Sequence, residues 1–163
     1  MMRFVFGSRA TIAGTVYGTV IVLAVLVAGG KAAEHSLWRL VGIVTTSVLV
    51  LWMAHVYAHA LGTSVKVDRR LDAAELREIA GRELAMPLAA VAPAAALVLG
   101  ATGLLAGRTS FWLAFALGIA TLGVQGLRYA RVERLGTTGT VVAVAINLGL
   151  GLVLVIFEVL VSH

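Results

Sequence analysis

Along the chain, long stretches free of Asp, Glu, Lys and Arg alternate with short charged pieces. Five such stretches run Ala10 to Gly30, Leu40 to Val65, Leu84 to Gly107, Thr109 to Leu127 and Leu135 to Phe157, holding 21, 26, 24, 19 and 23 residues. A helix needs about 20 apolar residues to cross roughly 30 Å of hydrocarbon, so each stretch crosses once and none crosses twice. A transmembrane barrel would show segments of about 10 alternating residues instead. The pattern predicts an all-α polytopic membrane protein, residues 1–163 forming one transmembrane domain. Its five spans are expected near 10–30, 40–62, 85–107, 109–128 and 136–158. The first stretch reads as a retained span, because it is longer than a signal-peptide core of about 7–15 residues and carries Thr11, Thr15, Tyr17 and Thr19.

The one sizeable connection lies between the second and third spans. Asp72-Ala73-Ala74-Glu75 has the spacing of a capping box, in which Asp accepts from the third helical amide and Glu reaches back. Leu76, Ile79, Ala80 and Leu84 follow at helical spacing, opposite Arg77, Glu78 and Arg82. A short amphipathic cytoplasmic helix is expected over about 70–84, lying on the bilayer with its basic residues toward lipid phosphate. Asp72, Glu75, Glu78 and Glu83 could in principle collect a cation, but the interspersed arginines favour a solvated, salt-bridged face. Pro87 suits the first turn of the following span or a kink near it.

Composition sharpens this reading. Of 163 residues, 60% are apolar and only 13% charged, with a mean hydropathy of +1.00. Soluble domains run nearer half apolar and a quarter charged, so too few charges remain to cover a water-soluble surface. A soluble enzyme, a disordered chain and a nucleic-acid-binding domain are poor fits, and the net charge of +5 needs another explanation. Lys and Arg supply it by their placement. Arg3, Arg9, Lys66, Arg69, Arg70, Arg77, Arg82, Arg128, Arg131 and Arg134 fall in one alternate set of connections, and Lys31, Arg39 and Arg108 in the other. That bias places the N-terminus in the cytoplasm and the C-terminus outside, with a bacterial cell membrane as the expected location. The absence of cysteine removes disulfides, thiolate metal sites and Cys nucleophiles.

Polar residues inside the spans are the best pointers to function, because a membrane excludes them without cause. Trp52, His55 and His59 share one face of the second span. Two histidines four apart can ligate a metal or relay protons. His55 and His59 lack a third protein ligand at their depth, so the plainer expectation is a polar inner vestibule or bonds to backbone carbonyls. Thr121, Gln125 and Arg128 share a face of the fourth span, with Arg128 expected to snorkel to the headgroups. Thr140, Asn147, Gly151 and Glu158 form a stripe along the fifth, Asn147 near mid-bilayer and Glu158 at the outer boundary. Asn147 is expected to bond a neighbouring helix, and Glu158 to find a basic neighbour, because it opposes its own helix dipole. His35, in an outer loop, and His163, terminal, reach neither site. Gly14-x-x-x-Gly18 and Gly103-x-x-x-Gly107 are candidate helix-packing faces. Pro87 and Pro93 can each free a backbone carbonyl.

No Gly-rich phosphate loop, Gly-x-Ser-x-Gly elbow, His-Glu-x-x-His motif or carbonyl-type potassium filter occurs, and neither catalysis, a cofactor nor a metal is expected. Five spans, an inside N-terminus and an acidic-basic helix between spans two and three resemble the vacuolar iron transporter family in architecture. That family carries an aspartate, with methionine nearby, along the ion path in its first span. Gly14-Thr15-Val16-Tyr17-Gly18 has neither, so iron transport is not inferred. The polar set His55, His59, Gln125, Arg128, Asn147 and Glu158 suggests a homo-oligomeric channel or carrier for a small ion or protons. The alternative is a non-transporting accessory or scaffold subunit whose small-residue faces dock other helices. A third reading is a membrane redox protein holding haem or a metal through His55 or His59. The expected partners are the lipid bilayer and either further copies of the chain or another membrane protein, with no nucleic acid.

Overall fold

A computed structural model describes residues 9–162. These form seven helices and no strand: α1 (Arg9–His35), α2 (Leu37–Val67), α3 (Ala73–Arg82), α4 (Ala85–Leu88), α5 (Val91–Ala101), α6 (Gly107–Val132) and α7 (Thr137–Ser162). Among the described residues, four segments are long and apolar enough to cross a membrane: Thr11–Gly30, Leu37–Val67, Gly107–Val132 and Thr137–Phe157. A fifth is completed when the bent pair Ala73–Leu88 and Val91–Ala101 is taken as one span.

Short connections make successive long helices antiparallel neighbours. Ser36 alone joins α1 to α2, its hydroxyl accepting from the Arg39 N–H as an N-cap. At the far end of α2, Asp68 takes a left-handed conformation (φ 50°) and its N–H bonds the Ser64 carbonyl, which stops the helix. The hub is α1, which packs on α2, α4, α6 and α7. Its Val22, Leu23 and Leu26 meet Leu40, Val44 and Val48 of α2, Ala96 and Leu97 of α5, and Ala114, Phe115 and Leu122 of α6. Thr15 and Thr19 return their hydroxyls to the Thr11 and Thr15 carbonyls at 2.8 Å, so fully buried Thr19 leaves no polar group unpaired.

The third span departs from the expected continuous 85–107. Its helix is bent by 49° at the Ala89–Ala90 break and ends at Ala101. Pro87 and Pro93 withdraw backbone donors on either side of the break. Gly103 then turns the chain at φ +81°, letting the Leu104 and Leu105 N–H groups cap the Leu99 carbonyl. Gly103 therefore stands in a turn with open space around it, while Gly107 begins the next helix against Leu37. The Gly103-x-x-x-Gly107 packing face does not exist as one helix surface. The other limits shift less: α2 and α6 run past the apolar windows to Val67 and Val132, since charge ends a hydrophobic stretch without ending a helix.

Gly14-x-x-x-Gly18 does lie on one face, and that face holds the broken span. A Cβ at Gly14 would stand 3.3 Å from Ala85 Cβ, and one at Gly18 would be 3.0 Å from both Met86 Cα and its carbonyl carbon. Backbone meets backbone here. At the other side of the bundle, a Cβ at Gly126 would lie 2.9 Å from Val144 Cα, a backbone approach second to that at Gly18, where the Met86 carbonyl oxygen is nearer still.

Candidate functional site

The capping box forms as its spacing predicts. The Glu75 N–H donates to Asp72 Oδ1 at 2.8 Å and the Asp72 N–H to Glu75 Oε2 at 2.9 Å. With the start of α3 set there, Ile79 and Glu83 fall four residues apart on the face turned to α2, where Ile79 is buried. Glu83 is the residue after the helix, and its side chain is only 15% exposed. It reaches two imidazoles. His59 Nδ1 is 3.0 Å from Glu83 Oε1, and His55 Nε2 is 3.6 Å from Glu83 Oε2. An ionised carboxylate only accepts, so His59 carries its proton on Nδ1 when this bond forms. The 3.6 Å approach of His55 is a charge contact beyond hydrogen-bond length. The Tyr17 ring of α1 lies beside the His55 ring, centroids 5.8 Å apart and tilted by 33°.

The cluster sits at one end of the bundle. At 1.5 Å per residue, His55 and His59 lie about 27 and 33 Å along α2 from Leu37, a separation close to the roughly 30 Å thickness of a hydrocarbon layer. The other acids around α3 are committed elsewhere. Arg69 grips Glu75 through two bonds of 2.9 and 2.7 Å, and Arg82 pairs with Glu78 one turn away. The Arg69 bond, with the Asp72 N–H, holds the Glu75 carboxyl down at about 2 against an ordinary 4.5, and the same bond raises Arg69. Among the described residues, no group of three His, Cys, Asp or Glu side chains is arranged to hold a metal ion.

Tyr17 also borders a second feature. A groove of 680 Å3 between α1, α6 and α7 is lined by Ile12, Ala13, Val16, Tyr17, Val20, Tyr129, Asn147 and Leu150. Asn147 does not bond a neighbouring helix as expected. Its amide donates to the Ala143 carbonyl of its own helix at 2.9 Å, leaving the buried Oδ1 with no donor. Trp52 Nε1 is the other buried side-chain atom without a partner among the described residues. Gly151, on the same stripe as Asn147, faces Leu122 and Ile119 of α6.

The expected residues thus divide. His55 and His59 converge, and Tyr17 links them to the groove that holds Asn147. Gln125 and Arg128 form a separate pair, with Arg128 Nη1 donating to the buried Gln125 Oε1 at 3.2 Å. Arg3 and His163, and the side chains of Arg9, Lys31, His35 and Glu158, lie outside the described residues. Sequence reasoning placed Glu83 on a solvated acidic face and gave Tyr17 no role. The Ile79–Glu83 spacing was the available signal, since a carboxylate one turn after a buried isoleucine faces the same way. No family model, curated protein or solved structure matches the chain.

Proposed function

We propose that the chain is a five-span membrane protein that moves protons or a small cation, with His55, Glu83 and His59 as the mouth of the path. The observation that carries this reading is Glu83, a largely covered carboxylate that engages both imidazoles across 24 and 28 residues of sequence. Imidazoles titrate near neutral pH, so a carboxylate shared by two of them can accept a proton from one side and pass it to the other. Tyr17 and Asn147 continue the polar sequence along the groove, on the outer surface of α1 and α7. A path on that surface is closed by a second copy of the chain. The membrane setting is supported by what the bundle leaves uncovered. Only 11% of the apolar stretch of α7 and 17% of that of α2 is buried, against 39% for α1 and α6. Apolar surface on that scale belongs against lipid or protein. The bias of Lys and Arg supports an N-terminus in the cytoplasm.

The test is flux from liposomes containing the purified protein, read with an internal pH dye and with radioactive monovalent cations. Flux above that of empty liposomes is expected, with Glu83→Gln lowering it at least tenfold and Asn147→Leu lowering it measurably. Neither proton nor cation flux above empty liposomes would end this reading. A second reading, an accessory or scaffold subunit, is favoured by the same uncovered faces of α2 and α7. Crosslinking in native membranes separates the two, since recovery of the homo-oligomer alone counts against a scaffold.

A further inference from the structure

The end of the bundle that carries the histidine cluster has a second chemistry. Four of its acids are engaged internally, Glu75 with Arg69, Glu78 with Arg82, Glu83 with the histidines and Asp72 with its helix N-terminus, while Asp68 is exposed beside Lys66 and Arg70. Other bases there are not so engaged. Lys66, Arg70, Arg77, Arg131 and Arg134 are exposed and have no carboxylate partner among the described residues.

These cations border apolar surface. On α3 and α4, Leu76, Ala80, Leu84 and Leu88 recur every fourth residue, and the three leucines are 42–53% exposed. At about 100° per residue, Arg77 lies at the edge of this stripe, and the salt-bridged Glu75, Glu78 and Arg82 lie on the opposite side. Leu61 and Val65, near the same end of α2, are exposed as well and add to the apolar surface there. Leucines flanked by arginines suit the boundary between acyl chains and headgroups, where each arginine reaches a phosphate while its stem covers apolar surface.

We infer that this end is a binding surface for anionic phospholipid headgroups, with Arg70 and Arg77 as its main contacts and the Leu76–Leu88 stripe seated among the acyl chains. The inference rests on the membrane reading above but not on transport. Charge selects the headgroup, and the leucine stripe selects a lipid over a soluble acidic partner, which would leave those side chains in water. The acid–base pairs on the opposite side keep that side compatible with water.

Native mass spectrometry of the detergent-purified chain, offered phosphatidylglycerol and phosphatidylcholine in equal amounts, tests it. Phosphatidylglycerol is expected to be retained preferentially, and the preference should weaken in 0.5 M salt before ionisation. Arg70→Gln with Arg77→Gln should lower it roughly fivefold for each arginine removed. Arg39→Gln with Arg108→Gln, at the other end, should leave it unchanged. Tryptophan fluorescence checks that both double variants are folded. If the Arg70/Arg77 variant does not fold, the salt response of the parent protein decides. Equal retention of the two lipids, or an Arg70/Arg77 variant as selective as the control, overturns the inference. Displacement of phosphatidylglycerol by millimolar inorganic phosphate would also overturn it, because it would mark a free-anion site. Extraction of the protein from vesicles by alkaline carbonate would instead refute the membrane reading itself.

Discussion

Replacing Gly18 with alanine strikes the closest backbone contact in the bundle. The added methyl would stand 3.0 Å from Met86 Cα and from the Met86 carbonyl carbon. Carbon atoms rest about 3.5–4.0 Å apart, so α1 and α4 must separate by roughly 0.5–1 Å. The obstacle is main chain, which has no rotamer to yield. Overpacking costs about 1–3 kcal/mol where neighbours adjust, and this site belongs in the upper half of that range. At about 2–4 °C for each kcal/mol, the midpoint of thermal unfolding should fall by roughly 4–12 °C. The three tryptophans supply the fluorescence signal in detergent or nanodiscs. Gly42→Ala and Gly62→Ala are the controls, since a methyl at either helical position meets nothing within 4 Å. They should be neutral or slightly stabilising. Because Glu83 lies three residues before Met86, the displacement should also lower proton flux. A Gly18→Ala protein that melts with the parent would refute the close approach and the broken span built on it.

Two further outcomes follow from the connections. Glu75 titrates at about 2 in the folded protein against an ordinary 4.5, so its contribution to stability is present above pH 4.5 and disappears as pH falls through 2. Protection factors for the amides in the first turn of α3, taken relative to intrinsic exchange at each pH, should therefore fall over that window, and Glu75→Gln should remove that fall. Gly103→Ala should destabilise by about 1–2 kcal/mol although nothing crowds the site, because its φ of +81° disfavours any Cβ. Denaturant or thermal melts check this, and an unchanged midpoint would contradict the turn.

How much of this was readable beforehand depended on whether the signal was local. The five apolar windows and the Asp72–Glu75 box involve residues within a turn or a bilayer thickness of one another, and helices stand at all of them. The break in the third span left no trace in hydropathy, since residues 84–107 are apolar on both sides of it. Pro87 and Pro93 hinted at a kink, but the 49° bend also depends on α1 offering Gly14 and Gly18 as a flat seat. Glu83 was hidden for a related reason. Its partners are 24 and 28 residues away, and within its own helix it resembles the acids that pair with arginine. Asn147 was recognised as a polar residue in apolar surroundings, but its choice of its own Ala143 carbonyl is a rotamer decision that spacing does not encode.

The central position of α1 has a consequence for biogenesis. The ribosome delivers α1 before α2, α4, α6 or α7, so the segment on which the others converge must wait for them. Until α6 and α7 emerge, Leu23 lacks the Gly118 and Gly151 surfaces it packs against. If the chain enters a membrane as proposed, nascent chains stalled before residue 107 should accordingly remain beside the insertion machinery, and release should coincide with arrival of the last two helices.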